Sequence, residues 1–177
     1  MPDDGSVPRF DVTHDMVAGR PMRNLGALQT SELFLLSAMR LWCGHDSTPC
    51  GRALVRNGFH AVSLTPLHYT QFAELMACVT GGARRRFRTA RACCAPVMHD
   101  EAWLLECFAL TQHHRPGETT ELLAALLPPA AVRVAAEALD SLAAALAGVG
   151  LHLRIRSLDA RVHPATLWRH SLSRLQH

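Results

Sequence analysis

The longest run of helical periodicity constrains the fold more than any other feature. Val132, Ala135, Ala136, Leu139, Leu142, Ala143 and Leu146 return every three or four positions, and Gly148 and Gly150 close the run. That spacing gathers apolar side chains on one face of a helix, and the face must be buried against other elements. A lone helix of about four turns is marginal in water, so the rest of the chain has to supply its partners.

It does so with more of the same pattern. Thr30 or Ser31 can cap a helix that continues through Trp42 and ends near Gly44. Its apolar face is broad enough to place it centrally in the core. A short helix over 50–57 is closed by Asn57-Gly58. Thr65-Pro66 sets a capping hydroxyl before a proline at the first helical position. Phe72, Leu75, Met76 and Val79 then keep helical spacing up to a stop at Gly81-Gly82. Another helix begins near His99, where Asp100 and Glu101 suit its positive end, and His113-His114-Arg115 suit its negative end. Thr119 or Thr120 caps a short helix through Leu127, ended by Pro128-Pro129, and Leu167, Trp168, Ser171, Leu172 and Leu175 predict a last amphipathic helix after Pro164.

One stretch has a different period. Leu151, Leu153 and Ile155 alternate with His152, Arg154 and Arg156, as in a short strand whose partner would be the extended stretch around Phe87 and Thr89. The expected fold is therefore mostly all-α, a compact bundle of about five to seven helices with room for one two-stranded element. Residues 1–28 lack periodicity and carry several prolines and glycines, which predicts a flexible N-terminal arm ahead of a single helical domain over 29–177.

A chain of 177 residues fits one domain and hides about 70% of its unfolded surface, so it needs neither disulfide nor metal in order to fold. Its apolar stretches stop short of the roughly 20 residues that span a bilayer. Met1–Ser6 carries acid where a secretory signal carries base, and the chain is expected in the cytosol. There the six cysteines are expected as free thiols. All 18 basic residues are arginine, yet the formal net charge is only +3, which disfavours wholesale coating of nucleic acid and allows a local basic patch.

Such a patch stands in the segment from Arg84 to Glu101. Arg84, Arg85, Arg86 and Arg88, with Arg91 beyond, form an acid-free run whose guanidinium forks suit phosphate, making them the candidate anion-binding residues. The competing reading is a solvated connector whose arginines pair with acids on neighbouring helices. Cys93 and Cys94 follow, with His99 five residues after Cys94. Neighbouring side chains diverge in an extended chain, so at least one thiol faces away from the core. Cys93, Cys94 and His99, joined by Cys43, Cys50, Cys107 or one of the other histidines, are the candidate ligands for zinc or another soft metal. A thiolate at Cys94 is alternatively favoured by the following helix and the nearby arginines, and opposed by Asp100 and Glu101.

The order of these features runs from Leu33-Phe34-Leu35-Leu36-Ser37-Ala38-Met39-Arg40, through the helix ending at Val79, to Ala92-Cys93-Cys94-Ala95-Pro96 and Asp100-Glu101-Ala102. It is similar to a family of small uncharacterised bacterial helical proteins with a Cys-Cys-x-Pro segment before a helix starting Asp-Glu-Ala. The resemblance covers roughly residues 30–155, brings no activity or ligand with it, and directs attention to the cysteine segment.

No H-E-x-x-H, Glu-x-x-His, glycine-rich phosphate loop or G-x-S-x-G elbow occurs, and no residue is nominated as catalytic. The stretch from Arg154 to Arg174, five arginines against Asp159 with Trp168 among them, suits an anionic membrane, a partner, or plain packing on the bundle. The leading expectation is a non-enzymatic helical interaction or regulatory module acting on a protein partner or a second copy of itself. The alternatives are a zinc-binding or redox-thiol protein centred on Cys93-Cys94, and a nucleic-acid accessory protein using Arg84–Arg91.

Overall fold

The computed structural model describes residues 23–24, 28–44, 49–92, 94 and 96–156. Among them are six helices: α1 (Thr30–Cys43), α2 (Pro49–Ala61), α3 (Pro66–Gly81), α4 (His99–Gln112), α5 (Pro116–Leu126) and α6 (Pro129–Gly148). Two strands of two residues each, β1 (Arg23–Asn24) and β2 (Pro96–Val97), pair antiparallel with Arg23 opposite Val97. The all-α expectation holds. No described helix is long and apolar enough to cross a membrane.

The centre of the bundle is α4, rather than α1 as its broad face predicts. Trp103 to Leu110 are all buried, which a helix reaches only when it is enclosed on every side. It packs against α1, α5 and α6, while α3 lies along α6 and α2 bridges α1 and α3. One core joins all six helices, with Phe59, Phe72, Phe108, Leu104, Leu123 and Leu139 fully buried. Each such side chain contributes roughly 1.5–3 kcal/mol relative to leaving it in water.

Several boundaries differ from the sequence expectations. Asn57-Gly58 does not close α2, which continues to Ala61 because Val55 and Phe59 are drawn into the core one turn apart. The turn that follows takes its left-handed corner at Ser63 (φ 64°). In α5, proline again takes the first position, and Thr119 sits inside the helix with its hydroxyl donating to the Arg115 carbonyl. Neither Thr30 nor Ser31 caps α1. Gln29 precedes the helix, and the Ser31 hydroxyl donates instead to the His152 carbonyl.

Residues 151–156 do not pair with Phe87 or Thr89. Side chains satisfy the backbone of this segment instead. Gln112 donates to Leu151 O (3.0 Å) and Ala143 O (3.2 Å) and accepts from Leu153 N (2.8 Å). Glu106 accepts from Arg156 N (2.9 Å), and the Arg156 guanidinium meets Glu32 through Nε and Nη2, both at 2.6 Å. The predicted helix after Pro164 and, of the arm predicted over 1–28, all but residues 23–24 and 28 lie outside the described residues.

Candidate functional site

Among the described residues the chain leaving α3 has no regular structure until β2, so its backbone groups need partners from elsewhere. Gly82 ends α3 by donating to Cys78 O (3.0 Å), and a Cβ at this position would sit 2.9 Å from that carbonyl oxygen. Glycine is required there by close approach of backbone to backbone. Two residues on, Arg84 N donates to Leu126 O (2.9 Å) and ties the connection to the end of α5.

The remaining ties come from the first turn of α4 and from α1. Glu101 is fully buried and accepts from Arg40 Nε (2.8 Å) and Nη2 (2.9 Å), from Ala90 N (2.9 Å) and from Met98 N (2.8 Å). Arg40, equally buried, also donates to Cys94 O (2.6 Å) and Pro96 O (2.7 Å). A buried ion pair repays its desolvation only when its other donors and lone pairs are satisfied. Here they are satisfied by the connecting segment itself.

Asp100, almost as buried, takes the other end. Its carboxylate receives Arg85 Nη1 (2.7 Å) and Nη2 (2.5 Å) and the Arg88 amide (2.8 Å), with His99 Nδ1 at 3.6 Å. Burial alone would raise the carboxyl pKa. The hydrogen bonds from Arg85 and the Arg88 amide, with His99 close by, outweigh burial and hold it well below the usual carboxylate range.

These ties set the face of the loop. Arg88 N and Ala90 N both point at the α4 carboxylates, as alternate amides do in an extended chain. Phe87 is buried and Thr89 hydrogen-bonds to the Cys43 thiol on the inner side, which leaves Arg86 and Arg88 on the outer side. Arg84, Arg86, Arg88 and Arg91 are all exposed, and none has an ion-pair partner among the described residues. Arg85 departs from the expected anion site, because its fork is occupied by Asp100. The connector reading thus describes Arg85.

The cysteine expectations divide differently. Cys93 lies outside the described residues. Cys94 is half-buried, donates its amide to Arg91 O (3.0 Å) and offers its carbonyl to Arg40. It stands ahead of the N-cap residue Met98, whose amide Glu101 accepts, and not in the first turn of α4, which carries Asp100 and Glu101. Among the described residues no group of three or more His, Cys, Asp or Glu side chains is placed to hold a metal ion. Burial pushes the Cys43 thiol up to about 11, partly offset by the Thr89 hydrogen bond and reinforced by the Glu101 charge. Burial also raises Cys107, with Glu106 adding to it, and Cys78, with Glu74 adding to it. These three thiols stay protonated near neutral pH.

Arg40 escaped the sequence reading, although its position held a signal. Glu32, Leu35, Leu36, Met39 and Arg40 share one face of α1 at helical spacing. Charges set into an apolar stripe need buried partners, and those of Glu32 and Arg40 are Arg156 and Glu101. No protein-family model matches this chain, and neither a curated protein nor a solved structure shows significant similarity to it.

Proposed function

We propose that the chain is a non-enzymatic interaction module whose working surface is the basic loop between α3 and α4. The observation that carries this reading is the fixed outward presentation of Arg84, Arg86, Arg88 and Arg91. Their backbone is tied down by Asp100, Glu101, Arg40 and the Leu126 carbonyl, while their guanidinium groups have no ion-pair partner among the described residues. A pre-ordered backbone lowers the entropy cost of binding, so unengaged charge on it is available to a partner. Residues 83–99 contain no acid to compete for that charge.

The test is retention on an immobilised polyanion as salt rises. The wild-type chain is expected to elute late and to shift strongly with salt. The R84A/R86A/R88A/R91A variant should elute early with its helical circular dichroism unchanged. Arg56, an exposed residue of α2, supplies the control, and R56A should behave like wild type. Equal retention of the four-fold variant and R56A removes the loop as the working surface.

A further inference from the structure

We propose that the partner of this loop is the phosphate backbone of a nucleic-acid duplex, held by Arg84, Arg86, Arg88 and Arg91 without reading base sequence; this rests on the loop being the working surface. Two observations select that partner class over an acidic protein or a single strand.

The first is the absence of exposed apolar surface on the loop. Protein interfaces carry a desolvated core of aromatic and aliphatic side chains inside their polar rim. Among the described residues the exposed large hydrophobics are Leu54, Leu67, Val134 and Val149, which lie on α2, α3, α6 and just after α6. None lies on the described part of the loop, where Phe87 and Val97 are buried and Met98 is half-buried. A surface made of guanidinium groups alone suits a ligand whose affinity comes from phosphate charge and released counterions.

The same burial of Phe87 carries the second observation. Proteins that hold single strands stack bases on exposed aromatic rings, and this loop exposes no ring. It also lacks the Asn and Gln side chains that read adenine edges. An arginine fork can also meet a guanine edge, so assignment to the backbone, which positions a protein without specifying sequence, is what comparison across duplex sequences tests.

Each planar fork can engage a phosphate through two donors, and arginine side chains stay charged at any physiological pH.

Fluorescence anisotropy of the full chain with a labelled mixed-sequence duplex of about 20 base pairs tests the proposal, with polyglutamate as the competing polyanion. Non-specific duplex binders fall in the range of about 10⁻⁴–10⁻⁶ M at physiological salt, and the affinity should fall with log salt at about −0.9 per phosphate engaged, or about −3.6 for four contacts. R88A should make the slope shallower by about 0.9 and weaken all duplex sequences alike. The R84K/R86K/R88K/R91K variant should retain most of the duplex binding, since lysine serves a phosphate as a point charge. Binding of polyglutamate through the same arginines, with none to the duplex, would overturn this partner assignment and leave the docking surface standing. Binding to neither polyanion overturns both. A duplex affinity unchanged in the four-fold alanine variant places the contact elsewhere and also overturns the proposal.

Discussion

Removing the Glu101 carboxylate strands a guanidinium. Arg40 is 2% exposed and would keep its charge with no counter-ion, while Ala90 N and Met98 N would lose their acceptor. Glu101→Ala is therefore expected to cost about 3–5 kcal/mol, read as a lower urea midpoint at unchanged m. Replacing both partners of a buried ion pair by apolar side chains often restores stability. Here it should not, because the carbonyls of Cys94 and Pro96 would still lack donors. An R40M/E101M protein as stable as wild type would show that the pair merely balances charge. Asp100 makes a different prediction. Its folded pKa lies below the unfolded value of about 3.9, so its contribution is complete above that pH and is lost as pH falls through the depressed folded value. Thermal midpoints should thus gain nothing from Asp100 between pH 7 and about 5, and should fall in acid below about pH 4. Asp100→Asn should make the acid limb shallower; an unaltered limb would mean that other carboxylates govern acid unfolding.

Elements were legible where one face of a helix is buried and the other is wet. α3 and α6 meet that condition: Thr65-Pro66 starts α3 and glycines end both helices where local chemistry puts them, while the Pro128-Pro129 pair read as a stop for α5 also opens α6. Local signals failed where packing overrode them. Asn57-Gly58 has the composition of a stop, yet Phe59 is in the core, so the helix runs on. α4 gave weak periodicity for the opposite reason, since nearly every side of it is covered. The alternation over 151–155 is real, with Leu153 buried and His152 and Arg154 exposed. Alternation reveals which face is buried and nothing about what satisfies the backbone. That partner is Gln112, one side chain that serves Ala143, Leu151 and Leu153. Gln112→Ala should cost about 1–3 kcal/mol through the unmade bonds. In native-state hydrogen exchange, protection of the Leu153 amide should drop while α6 stays protected. Protection unchanged at Leu153 would mean that packing alone holds the segment.

At the scale of the whole molecule, the helices form the enclosure and a few charged side chains fasten the irregular segments to it. Arg40, Asp100 and Glu101 fasten 84–98; Glu32, Glu106, Gln112 and Ser31 fasten 151–156. The candidate site was half legible. Its arginines stand out in the sequence as an acid-free run, but which of them remain available depends on Asp100, and that pairing exists only in three dimensions. The fastenings also have a consequence for change over time. Apart from the Arg85 fork, they grip the loop by carbonyls and amides: Cys94 O, Pro96 O, Arg88 N and Ala90 N. A grip on the main chain is blind to the letters the loop carries. The outward residues can be rewritten, one at a time, while the attachment stays whole, so this stretch is a place where a lineage could acquire a new ligand without re-solving its fold.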